Sequence, residues 1–395
     1  LRPLVTGLFR EDQPEVDAVL LSHSHPDHFG LLSHIHADIP VFMSDETKTL
    51  LTISDAFWPD EIRPKLSSAN VKTYKHGEIF NIGPFTIKPY MMDHSAFGSS
   101  AYSIFVSGQR ILYTGDYRAH GRKKKCFEHL LKNESAELDC LLVEGTTLGG
   151  MHHVGFSSEL DVENAFYDQF INQRDAAFVI ASGSNIDRTV SLYKAAKRAG
   201  KTLVIDLYQA YVLEQIKQYS PGLPPHKDDN LRIHYIKGHA DVFEKILGKD
   251  FLYRMNSRRI DRDEIVKNRH DMVLRLPTKR MLSLAESMHT QLNISNAKLV
   301  YSMWQGYQAR DDELTLLHRK YGMSMINIHV SGHAYENDLK RLVEKLNPKT
   351  LIPIHTLNRQ HFVEKYPQTQ LVDDGDSWHL PSTNPEQYGM AEHSS

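Results

Sequence analysis

Short apolar runs separated by turn residues dominate the first 150 positions. Residues 17–22, Asp-Ala-Val-Leu-Leu-Ser, form an unbroken run of the kind seen in a strand buried on both faces. Residues 41–43, 71–74, 85–90, 103–106, 111–114 and 141–144 repeat the signal, with turn pairs such as Gly83-Pro84 and Gly108-Gln109 between them. This predicts a sheet interrupted by helices, with reactive residues recurring at strand ends. From about residue 157 the period changes. Residues 157–173 read as a helix opening on Ser and acidic residues. Residues 177–181 read as a strand, 187–199 as an amphipathic helix closed by Gly200, and 202–206 as a further strand, an alternation that predicts a βαβ unit and a parallel sheet. A loop rich in Pro and charge covers 220–230. Strands follow at 298–302 and 326–330, then a helix at 334–345 and a strand at 350–354 ending on His355. No internal repeat is visible, and the polar tail after Pro381 is expected to fray.

Composition narrows the class. With 395 residues, 41% hydrophobic and 24% charged, the chain is ordinary globular material, which excludes disordered, collagen-like and coiled-coil readings. Its length predicts roughly two or three domain-sized units. No run of about 18 apolar residues is present, so no membrane span is expected. A net charge of −3 argues against coating nucleic acid by bulk charge, so any such contact must come from local patches. Two cysteines, Cys126 and Cys140, are too few for a disulfide framework, and a reduced, cytoplasmic setting is expected. By contrast there are 23 histidines, which points to metal sites built from imidazole and carboxylate. The numbering begins at Leu1 with no signal-like segment, and further N-terminal sequence is expected upstream.

The strongest chemical signal is His23-Ser-His25-Pro-Asp27-His28, four potential ligands within six residues directly after an apolar run. In a loop, the alternate residues His23 and His25 can face one metal while Asp27 and His28 turn to a second. His94 ends another apolar run, and Asp116 closes the run Leu112-Tyr113-Thr114-Gly115. A carboxylate there can bridge two metals, which an amide cannot do well.

The series His-x-His-x-Asp-His, a lone His, then Thr-Gly-Asp resembles the metallo-β-lactamase superfamily. Glu144 in Leu-Val-Glu-Gly-Thr, His333 in Ser-Gly-His-Ala and His355 in Ile-Pro-Ile-His-Thr resemble the later motifs of its β-CASP family, and look most like ribonuclease J. The resemblance implies an α/β fold: an αββα sandwich with an inserted β-CASP domain whose parallel sheet is flanked by helices. It divides the chain into 1–150, 151–325 and 326–395, the middle part being the insertion. Carried over, one metal is held by His23, His25 and His94, the other by Asp27, His28 and His355, with Asp116 bridging. Two divalent ions are implied, zinc first and manganese as the alternative. Such a pair activates a water for attack on a phosphodiester and neutralises phosphoryl charge. Asp27 or Asp116 then orients that water, His333 stabilises the departing or a phosphoryl oxygen, and Glu144 orients an imidazole such as His355.

Ala181-Ser-Gly-Ser-Asn-Ile-Asp-Arg188 follows a strand and opens a helix, a setting that binds anions readily. Like the ribonuclease J segment it resembles, it is expected to contact a 5′-phosphate through Ser182, Ser184 and Asn185, together with Ser331, Gly332 and His333. An ordinary helix cap is the competing reading. Two basic runs are expected to track a nucleic-acid backbone: Arg118, Arg122, Lys123, Lys124 and Lys125, and Arg254, Arg258, Arg259 and Arg262. His34, His36, His152 and His153 lack ligand spacing and are expected at the surface or behind the ligands. His329 is expected to share a strand face with Ser331 and His333, and Trp58, Trp304 and Trp378 are expected to pack, base-stacking platforms being the alternative.

The implied activity is a metal-dependent ribonuclease on single-stranded RNA, exonucleolytic 5′-to-3′ with preference for a 5′-monophosphate, endonucleolytic, or both. The alternatives are a DNA nuclease, a hydrolase of a small ester or lactam on the same core, and a non-catalytic nucleic-acid-binding subunit. Relatives carry opening strands with an Asp-x-Gly turn before the first motif and a C-terminal domain after the last. Only about 20 residues precede the motif here and the chain stops soon after His355, so a homodimer of the family's kind stays open.

Overall fold

The computed structural model describes residues 5–134, 137–149, 155–225, 228–292, 297–310 and 312–380. Strands β1 (Val19–Leu20), β2 (Pro40–Ser44) and β3 (Asn70–Tyr74) pair in parallel in that order. A second sheet begins as the antiparallel meander β4 (Phe80–Ile82), β5 (Phe85–Met91), β6 (Ser100–Val106) and β7 (Gln109–Tyr113), then adds β8 (Cys140–Glu144) parallel to β7. The chain next builds seven parallel strands: β9 (Ala177–Ile180), β10 (Thr202–Asp206), β11 (Leu231–His234), β12 (Arg259–Ile260), β13 (Met272–Leu274), β14 (Lys298–Tyr301) and β15 (Ser324–Asn327). It returns to the second sheet as β16 (Thr350–Ile354), parallel to β8.

The first two sheets face each other across Tyr74, Ile87 and Tyr102, with Phe42 and Phe80 stacked 5.1 Å apart between them. Helix Asp45–Ser54 covers the outer side of the first sheet, its Leu51 buried with Val41 and Met43. Helices Lys124–Asn133 and Glu336–Leu346 cover the far side of the second, setting Phe127, Leu130 and Leu342 against Leu112, Leu141 and Leu351. That is the αββα sandwich. Each such fully buried Leu or Phe contributes about 1.5–3 kcal/mol of transfer free energy.

The third sheet has the order β12-β11-β10-β13-β9-β14-β15 and lies entirely between β8 and β16 in the chain. Both its faces are buried: Phe166, Leu192 and Leu213 cover one, Met281, Leu284 and Leu317 the other. All four residues of β9 are accordingly apolar and buried, as a doubly covered parallel strand requires.

Several elements depart from expectation. The strand placed at 326–330 is β15, two residues earlier, and it straddles residue 325; we propose that the inserted unit extends through β15. His329 therefore does not share a strand face with Ser331 and His333. It is largely buried beside Arg188, 3.3 Å from its Nη1. The basic run after Asp116 is only partly a surface. Arg118 is fully buried, and Arg122 and Lys123 pair with Glu163 and Asp187, whereas Lys124 and Lys125 are exposed. In the second run Arg254 pairs with Glu214, Arg258 with Asp229, and Arg259 lies over Tyr235. Trp58 packs edge-on against Phe29, and Trp378 lines a cavity of about 770 Å³ with Ile111, Leu142 and Ile352. Trp304 is instead 47% exposed. His34 is exposed, His36 half-buried, and both cysteines are free thiols. His152, His153 and the tail after Pro381 lie outside the described residues. Among those described, no helix is long and apolar enough to cross a membrane.

Candidate metal centre

Six strand ends converge on one edge of the sandwich. β1 runs into His23 and His25, and the short helix Pro26–Phe29, with proline in its first turn, carries Asp27 and His28. β5 leads to His94, β7 to Asp116, β8 ends on Glu144, β15 leads to Ser331–His333 and β16 to His355. Ligand atoms lie within 4.8 Å of one another in the groups His23-His25-His94 and Asp27-His28-His355, the two sets implied by the motif order. Asp116 sits between them. Its Oδ2 is 3.2 Å from His28 Nε2, 3.6 Å from His23 Nε2, 3.9 Å from His94 Nε2 and 3.8 Å from both His355 Nε2 and His333 Nδ1.

The donor set suits a divalent cation. Nε2 of His23 is buried without a hydrogen-bond partner, a costly arrangement for a ring nitrogen unless another group takes its lone pair. Burial pushes the imidazoles of His23 and His94 well below the usual histidine value, and that of His25 down to about 4, so all three stand neutral with a lone pair available at neutral pH. Burial alone would raise the Asp116 carboxyl; His28 and the other imidazoles instead hold it well below the carboxylate range. His355 is driven up to about 9, first by its hydrogen bond with Asp27, so a cation bound there displaces a proton.

Supporting contacts fix the rings. His94 Nδ1 donates to the Gly332 carbonyl at 2.6 Å, which aims Nε2 into the cluster. Ser22 Oγ lies 3.1 Å from His23 Nδ1 and 3.4 Å from His28 Nδ1. Thr146 Oγ1 holds His355 at Nδ1, 2.7 Å away, and donates to its carbonyl, bracing a residue whose φ of +49° is costly for a side chain of this size. Glu144 is wired to His333, not to His355 as expected: its Oε1 accepts from His333 Nδ1 and from the amides of Tyr117 and Ala334. Burial lowers the His333 imidazole, but Glu144 and Asp116 together outweigh it and the net shift is upward. Gly332 is a close approach, since a Cβ there would sit 2.6 Å from Ser95 Oγ.

The Ser182–Asn185 segment reaches the same cleft through a bridge between Asn185 and Ala96, two residues past His94. Ser182 and Ser184 pair at 2.9 Å, while Asn185 Oδ1 accepts from the Arg188 amide. Asn185 is thus a helix cap with its acceptor occupied. Ser331 Oγ accepts from the His333 amide.

Sequence reasoning missed Thr146, Ser22 and, above all, Arg118. Its guanidinium is buried against Asp93 at 3.2 Å, Asp187 at 2.7 Å and the Ser331 carbonyl at 3.1 Å. Its acidic partners come from distant parts of the chain, so within the run it read as one more surface cation.

Fold and site together define a metallo-β-lactamase-superfamily protein. Residues 3–166 match the beta-lactamase superfamily domain, and residues 322–365 match the Zn-dependent metallo-hydrolase RNA specificity domain. The two matches, with ribonuclease J relatives along most of the chain, support a β-CASP protein of the ribonuclease J-like type. The chain is 20% identical over 357 residues to Ribonuclease J of Sinorhizobium meliloti, covering 87% of this chain and 58% of that one. It is 22% identical over 377 residues to the transcription termination factor FttA of Methanothermobacter thermautotrophicus, covering 85% and 57%. The chain thus spans under three-fifths of the length of these relatives. A crystal structure of a protein of unknown function from Enterococcus faecalis V583 superposes with a TM-score of 0.74 at 19% identity, covering 94% of this chain and 86% of the other, which shows the shared fold.

Proposed function

We propose that the chain is a metal-dependent ribonuclease that hydrolyses phosphodiester bonds of single-stranded RNA, acting from a 5′-monophosphorylated end. The observation that carries this reading is the Asp116 carboxylate, with five imidazoles inside 4 Å, set beside the Ser331–His333 loop, which lies in the stretch that matches the RNA specificity domain. Held on either side of Asp116 by His23, His25 and His94 and by Asp27, His28 and His355, two divalent cations, zinc by donor chemistry or manganese, would supply Lewis-acid activation of water and neutralise phosphoryl charge. Asp27 and Asp116 accept hydrogen bonds from the attacking water and fix its line of approach. Glu144 keeps Nδ1 of His333 protonated, so Nε2 is the atom that delivers a proton to the departing oxygen. Ser182 and Ser184 bind the terminal phosphate, with Ser331 and Gly332 walling the same pocket, and Asn185 shapes it as the cap of the helix.

The test is cleavage of end-labelled RNA and DNA, each with a 5′-monophosphate or a 5′-hydroxyl, with zinc or manganese, beside His25→Ala. RNA cleavage that disappears in the variant is expected. A metal-loaded chain that cuts no oligonucleotide overturns the reading and favours a small ester as substrate. The end preference has its own check. Ser182→Ala with Ser184→Ala is expected to reduce discrimination for the 5′-phosphate by about tenfold, the loss of one or two hydrogen bonds to an anion. Unchanged discrimination removes the pocket.

A further inference from the structure

Three neighbouring strands of the parallel sheet deliver their carboxyl ends to one crevice. In the pairing β9-β14-β15, Ile180, Tyr301 and Asn327 stand side by side. Ser182 lies two residues past the first and Ser331 four past the third, both in the proposed phosphate pocket. The middle strand places Trp304 three residues past Tyr301. In parallel sheets covered by helices on both faces, ligands bind outside the carboxyl ends of the strands, about one strand spacing of 4.8 Å separating each from the next.

What stands on that middle strand is aromatic and poorly covered. Trp304 is 47% exposed and Tyr307 52%, their rings meeting edge to face at 5.1 Å and 89°. The indole nevertheless has a fixed seat. The far edge of its six-membered ring lies against Gly306, where a Cβ would fall 2.2 Å from Cη2. The Trp304 carbonyl accepts from Tyr301 Oη, and Ser302 is tied to the Ile180 carbonyl through its amide and to Arg188 through its own carbonyl. Large apolar rings left in water are unfavourable, and rings held rigidly there are the pre-organised form of a stacking surface.

We propose that Trp304, buttressed by Tyr307, is a stacking platform for a nucleobase of the bound strand, one that no motif of the sequence marks. The proposal rests on the ribonuclease reading. Stacking on an aromatic face is tolerant of base identity and needs no charge, which suits a fold in which Arg118, Arg122, Lys123 and Arg188 are tied up in ion pairs.

The experiment measures affinity of the metal-loaded chain for a short phosphorothioate-linked single-stranded RNA, resistant to cleavage, and for the same backbone with abasic units. Trp304→Ala is expected to weaken binding of the base-bearing strand by about tenfold, to leave the abasic strand unchanged, and to be largely rescued by Trp304→Phe. Gly306→Ala, which displaces the ring without removing it, is expected to act in the same direction. Equal loss for both strands, or no loss for either, overturns the platform while leaving the ribonuclease reading intact. A wild-type chain that binds neither strand overturns both.

Discussion

Asparagine in place of Asp116 is expected to abolish RNA cleavage and to strip the metal from the protein. The substitution preserves the shape of the side chain and its place at the end of β7, so the fold is not the target. What it removes is the negative charge inside 4 Å of His23, His28, His94, His333 and His355. An amide oxygen is a poor bridge between two cations, and its NH₂ would point a donor at ring nitrogens that must offer lone pairs. Loss of metal-based activation is worth several kcal/mol, so turnover should fall by about a thousandfold or more. Metal content by elemental analysis and cleavage by gel should fall together. Full metal occupancy with unimpaired cleavage would remove Asp116 from the centre of the site. The same variant should melt at or near the wild-type temperature when both are stripped by a chelator, which separates loss of metal from loss of fold.

Much of the sandwich and the cluster is legible in the sequence because both obey local rules. The runs at 41–43 and 141–144 are interior strands whose apolar residues are contiguous, those at 71–74 and 85–90 carry apolar residues broken by polar ones, and the observed bounds of all four differ by only one or two residues. The metal-type residues sit at strand ends and therefore beside those runs. The inserted sheet is harder. β11 has four residues, β12 two and β13 three, each too short to show a period, and they pair only because helices bury both faces. The stretch at 326–330 alternates like a strand but leaves the sheet at Asn327. Beyond it the carbonyls of Ile328, Val330 and Ser331 accept from Ser302, Arg188 and Arg118, so side chains replace the next strand. That exchange aims Ser331–His333 at the cleft, and it depends on cations more than a hundred residues away that no local pattern reveals.

Arg118→Met is the substitution that tests this wiring, and it is expected to destabilise the protein by about 3–5 kcal/mol at neutral pH. Methionine fills much of the same volume, so the cost is electrostatic. It leaves Asp93, Asp187 and Glu159 buried around the place where the guanidinium stood. The pH dependence carries a sign that packing loss would not. Burial would raise the Asp187 carboxyl, but Lys123 and Arg118 hold it down to about 2. A carboxyl depressed below its unfolded value stabilises the fold above roughly pH 4 and loses that contribution as pH falls toward 2. Without Arg118 the depression is relieved and less is lost on acidification. The gap between variant and wild type in denaturant or thermal unfolding should therefore be widest at neutral pH and narrow below about pH 4. Cleavage should fall as well, because the Arg118 guanidinium also donates to the Ser331 carbonyl and to the carboxylate of Asp93, the residue before His94. Lys124→Met, at an exposed position of the same run, is expected to shift stability by no more than about 0.5 kcal/mol. A similarly small effect at Arg118, flat across pH, would mean that the buried ion cluster does not hold the inserted sheet against the metal cleft.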